Sequence, residues 1–227
     1  MSFNPTIDPA IWSIAPGFRA LSLRVHRPAG APRNNSSALD DAIALVQAGG
    51  PSWAESHLGA WADVFRRFGA KPQRTSCSAQ SLRDRVLKTG RLDMIDPVVD
   101  LYNAVSLKYA VPVGGENMDA YHGSPRLVVA EGREIFDTLK NGEVASENPD
   151  KGEVVWRDET GVTCRRWNWR QGVRTRIDAA TTDMWFVIES LPEMPLGSLE
   201  EAGEMLIAGL NELFDGVKSD IKFLQQG

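Results

Sequence analysis

Residues 164–176 read CRRWNWRQGVRTR, five arginines (Arg165, Arg166, Arg170, Arg174, Arg176) and two tryptophans (Trp167, Trp169) with no acid among them. Guanidinium beside indole is the chemistry of nucleic-acid contact, because one meets phosphate and the other stacks on a base. The same pairing also builds sheet cores, where tryptophans are buried and arginines snorkel or pair with carboxylates at the core edge. Glu153, Asp158 and Glu159 are near enough in sequence to be such partners, so both readings stand on residue types alone. As a strand, the stretch sends Arg165, Trp167, Trp169 and Gln171 to one side and Arg166, Asn168 and Arg170 to the other.

A second stretch, VPVGGENMD (111–119), puts Gly114 and Gly115 ahead of Glu116, Asn117 and Asp119. It reads as a glycine-rich loop whose backbone N–H groups approach a ligand, or as a bare helix-to-strand turn. The nucleotide, zinc-protease and nucleophile-elbow motifs GxGxxG, HExxH and GxSxG are missing, as is a P-loop. Cys77 and Cys164 have no paired spacing, which points to a reducing compartment and away from structural zinc. His26, His57 and His122 are scattered and read as structural. No metal and no organic cofactor is expected.

These stretches need elements to position them. FRALSLRV (18–25) reads as a strand, and RPAGAPRNNSS after it as a loop. Ser37 caps a helix that stops at Gly49-Gly50; Ser52 and Glu55 form a capping box for the next, whose Trp53, His57, Ala60, Trp61, Val64 and Phe68 share a face. SAQSLRDRVLKTG is a helix closed by Gly90. In DPVVDLYNAVSLKYA (96–110), Asp96 caps and Pro97 suits the first helical position. Val98, Leu101, Tyr102, Val105 and Tyr109 form its apolar stripe, with Asn103 beside it. From 125 the period becomes two: PRLVVA, GEVVWRD, VTCRRWNW and MWFVIES read as strands, with DETG a hairpin turn. SLEEAGEMLIAGLNELFDGVKSDIKFLQQ reads as one closing helix with a second capping box at Ser198 and Glu201. Helices first and strands later make the fold α+β, helices packed on a mostly antiparallel sheet.

The formal charge is −5, but it is unevenly spread. Between Trp61 and Arg91 stand Arg66, Arg67, Lys71, Arg74, Arg83, Arg85, Lys88 and Arg91 against only Asp63 and Asp84. The last 35 residues are acidic. A basic face inside an acidic chain attracts a polyanion. At 42% hydrophobic and 24% charged the composition is that of a globular protein, and no apolar run reaches the roughly 20 residues of a membrane span. The opening MSFNPTIDPAIW lacks the basic and apolar regions of a secretory leader, so a cytoplasmic protein is expected.

DPVVDLYNAVSLKYAVPVGGENMD, GEVVWRDETGVTCRRWNWRQGVRTRI and TTDMWFVIES together resemble the free-standing relatives of the B3/B4 tRNA-editing domain of the phenylalanyl-tRNA synthetase beta subunit. The resemblance covers residues 60–210 within a single domain of 1–227. It implies an α+β domain, not a complete synthetase, that handles the acceptor end of aminoacylated tRNA, with no DNA and no membrane as partner. The synthetase domain's histidine after this helix falls here near Gly114, and its glutamate near Gln171 or Gly172; the helix asparagine matches Asn103. The implied activity is trans-editing, hydrolysis of the ester of a mischarged tRNA. Asn103, Gly114, Gly115 and Glu116 are the candidate catalytic residues; Arg165, Arg166, Trp167, Asn168, Trp169, Arg170, Gln171 and Arg174 are the candidate substrate contacts. A tRNA-binding module without catalysis and a binder of small amino-acid-like molecules are the alternatives. Neither the amino acid nor the oligomeric state follows from the sequence.

Overall fold

The computed structural model describes residues 3–30 and 37–226. In chain order the elements are β1 (Thr6–Ile7), α1 (Pro9–Ile14), β2 (Arg19–His26), α2 (Ala38–Gln47), α3 (Ala54–Arg67), α4 (Ser78–Thr89) and α5 (Pro97–Tyr109). They continue as β3 (Val113–Asn117), β4 (Arg126–Val129), β5 (Phe136–Lys140), β6 (Glu143–Glu147), β7 (Val154–Arg157), β8 (Val162–Arg165), β9 (Arg170–Gln171), β10 (Asp183–Ser190), α6 (Leu196–Leu213) and β11 (Lys218–Gln225). The fold is α+β, but the one sheet expected is two. An antiparallel sheet runs β11-β2-β10-β3. The other runs β1-β4-β7-β8-β5-β6, with β9 also on β8, and includes the parallel pairs β1–β4 and β5–β8.

Alternation along β10 decides what each face of the first sheet meets. Met184, Phe186 and Ile188 pack with the apolar stripes of α5 and α6, including Leu101, Val105, Leu206 and Leu210. Trp185 and Val187 on the other face join Trp156 and Leu127 of the second sheet, Ile11 of α1, and Trp61 and Phe65 of α3. A smaller core holds α2 and α4 against α5. The result is a helical layer, a sheet, and a second sheet with α1 and α3.

Several local expectations hold. The Asp96 carboxylate accepts Val98 N–H at 2.9 Å with Pro97 opening α5. Gly90 closes α4 at φ 76°, a conformation that favours glycine. Asp158 Oδ1 accepts the N–H groups of Thr160 and Gly161 across the DETG turn.

Others do not. Neither capping box forms: α3 follows Trp53, and α6 begins at Leu196, directly after Pro195 and ahead of Ser198, with no side-chain cap bond at either start. Glu55 instead reaches Arg83 at 3.3 Å. Ser37 precedes α2 but makes no side-chain cap bond. The closing helix ends at Leu213: Phe214 is extended, Gly216 turns at φ 72°, and 218–225 become an edge strand on β2. β5 and β6 lie in a stretch that the sequence reading passed over. The loop expected at RPAGAPRNNSS lies partly outside the described residues.

Candidate functional site

Where α5, β3, β10 and the 164–171 segment converge they enclose a cavity of about 250 Å³. Asn103, Gly114, Gly115, Glu116, Trp167, Asn168, Trp169 and Gln171 all line it. The sequence reading nominated each of these.

The glycine segment is a strand, not a loop. Neither Gly114 nor Gly115 has positive φ; both pair in register with β10, Gly114 opposite Val187 and Gly115 opposite Phe186. Glu189 N–H donates to the Pro112 carbonyl at 3.0 Å. By antiparallel alternation, residues 112, 114 and 116 turn their backbone groups toward β10, and 113, 115 and 117 turn theirs away. The Gly114 N–H is therefore spent on the ladder. Gly115 faces the free edge, where its carbonyl accepts Gln171 Nε2 at 2.9 Å. Its hydrogen Cα has a packing cause as well. A Cβ there would lie 2.8 Å from Phe186 Cε1 and 2.9 Å from Tyr102 Cε1.

The arginine–tryptophan segment is not one strand either. β8 ends at Arg165, and Arg166 and Trp167 adopt φ 44° and 65°. This is strained backbone for residues with a Cβ. Glu153 holds the turn: Oε1 accepts Arg166 N–H at 2.8 Å and Arg165 Nε at 3.0 Å, and Oε2 accepts Arg165 Nη2 at 2.8 Å. The turn cancels the expected two-sided alternation. Trp167 plunges into the core against Phe18 and Trp61, while Asn168 and Trp169 swing to the cavity.

Two buried carboxylates bracket the cavity. Glu116 is 5% exposed and Glu189 only 1%. They share one face of the sheet, because Glu116 lies opposite Trp185, two steps of alternation from Glu189. At about 3.4 Å per residue this separates the two positions by roughly 14 Å. Burial lifts the Glu116 carboxyl to about 7, opposed by the hydrogen bond from the Tyr121 hydroxyl and by the Arg174 charge. Burial likewise lifts Glu189 to about 7, opposed by its three donors. Trp156 Nε1 and Trp167 Nε1 both donate to Glu189 Oε1 at 2.9 Å, and Asn168 Nδ2 donates to Oε2 at 3.0 Å. Cys164 also lines the cavity, where burial and the nearby Glu116 and Glu189 carboxylates push its thiol well up and disfavour the thiolate. Among the described residues no three His, Cys, Asp or Glu side chains are grouped as metal ligands would be.

A model of the B3/4 domain matches residues 60–196, more than half of the chain. The chain belongs to the B3/4 domain family. None of the curated protein sequences matches it. Among solved structures it is similar to an N-terminal fragment of the phenylalanyl-tRNA synthetase beta-subunit from Pyrococcus horikoshii, at 12% identity and a TM-score of 0.47. That match covers 100% of this chain and 55% of the fragment, so this chain spans about half the fragment's length.

In this B3/4 domain the arginines part from the site. Arg165 is buried in ion pairs with Glu153 and Glu147, at 2.8 and 3.0 Å. Arg174 pairs with the buried Asp158 at 2.9 Å. Arg166 meets Asp150 at 3.2 Å and lies over the Trp169 ring. Arg170 lies over the same ring and donates to the Leu139 carbonyl. None of the four lines the cavity. The core-edge reading of these arginines therefore describes what they do in the fold, with Glu153 and Asp158 as partners, though not Glu159. His57 is structural: Nδ1 bonds the Ala110 carbonyl at 2.8 Å and Nε2 accepts Leu191 N–H at 3.1 Å. Burial drops its pKa to about 4.

Sequence reasoning missed Glu189, Tyr121 and Ser78. A signal for Glu189 was present: an acid inside the apolar strand MWFVIES, two residues from Val187 and four from Trp185 on one face.

α4 connects the cavity to the surface. Ser78, Ser81 and Leu82 line the cavity from one stripe of this helix, and helical spacing continues that stripe to Arg85 and Lys88. Lys71, Arg74, Arg85, Lys88 and Arg91 are exposed and, among the described residues, enter no ion pair. No helix of the described residues is long and apolar enough to cross a membrane.

Proposed function

We propose that this B3/4 domain binds the aminoacylated end of tRNA and hydrolyses the ester of a mischarged species, a trans-editing deacylase of the cytoplasm. The observation that carries the reading is one cavity with Glu116, Asn103 and Asn168 in its walls and α4, with its unpaired cations, at its side. The sequence resemblance to the tRNA-editing domain supports the same reading. The unpaired cations would meet acceptor-stem phosphates, while the Trp169 ring in the cavity wall offers a surface for a terminal base.

The chemistry asks little of the protein, because an aminoacyl ester is already activated. Burial lifts Glu116 to about 7, into the range that suits a general base at neutral pH. Held by the Tyr121 hydroxyl, it would take a proton from water as the water oxygen bonds to the ester carbonyl carbon. Collapse breaks the bond to the ribose oxygen, and Glu116 returns the proton to that leaving hydroxyl. The Gly115 N–H and the side-chain amide of Asn103 are the candidate donors to the oxyanion, since the Asn168 and Gln171 amides already donate to Glu189 and to the Gly115 carbonyl. The histidine and glutamate of the synthetase domain are not required by this scheme.

The test is hydrolysis of a panel of correctly and incorrectly charged tRNAs by the purified protein and its Asn103→Ala variant. Hydrolysis of one mischarged species, reduced at least tenfold in the variant, is the expected result. Salt-sensitive tRNA binding with no hydrolysis would make the protein a binding module. Binding of a small molecule with neither would remove RNA from the account.

A further inference from the structure

We propose that the cavity is built to hold a primary ammonium group, seated between the Glu189 carboxylate and the Asn168 Oδ1 oxygen beside the indoles of Trp167 and Trp169. Glu189 accepts three N–H donors, all neutral, and no cationic side chain of the described residues pairs with it. Buried carboxylates are ordinarily paired with a cation, since desolvation otherwise penalises the charge. Asn168 is only 8% exposed and commits its Nδ2 to Glu189. Its Oδ1 is left buried with no hydrogen-bond partner. A buried orphan acceptor is uncommon and marks a place where a donor belongs.

The Oγ of Ser78, on the same cavity wall, is also buried and unpartnered. It sits beside Asn168, whose carbonyl accepts Ser78 N–H at 3.2 Å. An ammonium carries three donors and no acceptor. Glu189, Asn168 Oδ1 and Ser78 Oγ supply three acceptors for it. Trp156, Trp167, Trp169 and Trp185 all line the cavity, and indole faces attract cations when water is excluded. A divalent metal fits poorly, because it needs more oxygen ligands than this wall carries. An anion would meet two carboxylates and no cation lining the cavity.

The inference rests on the reading of the cavity as an aminoacyl pocket and names the group that the pocket reads. A free amine is accepted, and where that amine is the α-ammonium an N-acylated, peptidyl-like ester is refused. The amine is either the α-ammonium or that of a side chain.

Calorimetry on the full chain separates these. The probes are the amides of alanine, phenylalanine and lysine, their Nα-acetyl counterparts, and the Glu189→Gln protein. At least one free amide is expected to bind, at least tenfold more tightly than its Nα-acetyl form if the α-ammonium is read. If a side-chain amine is read, Nα-acetyl-lysinamide binds and the acetylated alanine and phenylalanine amides do not. Glu189→Gln should weaken the amine at least tenfold. Should that variant not fold, Asn168→Ala serves the same purpose, and the comparison of free with acetylated probes needs only the natural protein. Equal binding of all amides and their acetylated forms, no binding of any amine at millimolar concentration, or unchanged affinity in both variants would overturn the proposal. Because no tRNA is used, amine binding without deacylation would sink the deacylase reading alone, and deacylation without amine selectivity would sink this inference alone.

Discussion

The chain has two basic regions, and they have opposite fates. In 164–176 most of the cations are taken up within the fold: Arg165 and Arg174 are bound to buried carboxylates and Arg166 reaches Asp150, while Arg176 stays exposed. In 71–91 Lys71, Arg74, Arg85, Lys88 and Arg91 stay exposed and unpaired among the described residues. The first region looks more like a nucleic-acid contact in sequence, having the tryptophans and the higher arginine density. The structure makes it the frame of the cavity, and leaves the plainer second region free to meet a polyanion. Charge density in sequence therefore says little until the carboxylates are placed.

The comparison breaks most sharply on Arg165. Arg165→Ala would strip the buried Glu153 of its close ion pair and two hydrogen bonds, leaving only Arg166 with its Nε at 3.8 Å and its backbone N–H. Removing one partner of a buried pair costs about 3–5 kcal/mol. Urea unfolding should show that loss, and a change below 1 kcal/mol would return Arg165 to the pool of binding residues.

Next in size is the response to pH. Glu189 is raised to about 7 in the folded protein. The folded state thus holds that proton more tightly, so this contribution is full below about pH 4.5 and is lost as pH rises through 7. The loss is at most about 3 kcal/mol, from 1.36 kcal/mol per pKa unit. Glu116 acts with the same sign. His57, lowered to about 4, acts oppositely: its contribution is present above about pH 6.5 and is lost as pH falls through 4. Melting temperature should therefore be highest between these limits. Glu189→Gln should flatten the alkaline limb and leave the acid limb unchanged. An alkaline limb that is identical in the variant would refute the assignment.

A smaller effect is expected at Gly115. Alanine there drives a Cβ into Phe186 and Tyr102, an overpacking that costs about 1–3 kcal/mol. Gly114→Ala meets Val187 Cγ1 at 3.3 Å and should be the milder change. Melting curves for the pair test this order, and equal losses would contradict it.

The smallest effect separates the two basic regions directly. Arg85→Ala, Lys88→Ala and Arg91→Ala together should lower the salt slope of tRNA binding by roughly one for each residue that meets a phosphate. Arg174→Ala should leave the slope unchanged, although it destabilises the fold. A reversed pattern would restore 164–176 as the phosphate contact.

How much of this was legible in the sequence follows from the range of each interaction. The cap at Asp96, the αL glycine at Gly90 and the DETG turn are local, and each was readable. The α6 end was misread because Val217, Ile221 and Leu224 keep a helical spacing past Gly216, while pairing with β2, nearly 200 residues away, decides the outcome. The strand 162–169 was misread because Glu153 fixes a left-handed turn at Arg166 and Trp167 that residue propensities oppose. Eight of the nominated residues do line one cavity, since the motifs that carry the resemblance are also its walls. Glu189 was missed because its importance lies in its partners Trp156, Trp167 and Asn168, from two other elements.

The most direct test of the central claim is single-turnover deacylation of a mischarged tRNA panel by the natural protein, Glu116→Gln and Arg166→Ala/Arg170→Ala. The account expects one mischarged species to be hydrolysed, with Glu116→Gln at least tenfold slower and the double arginine variant within threefold of the natural rate at saturating protein. Hydrolysis lost in the arginine variant and kept in Glu116→Gln would contradict it.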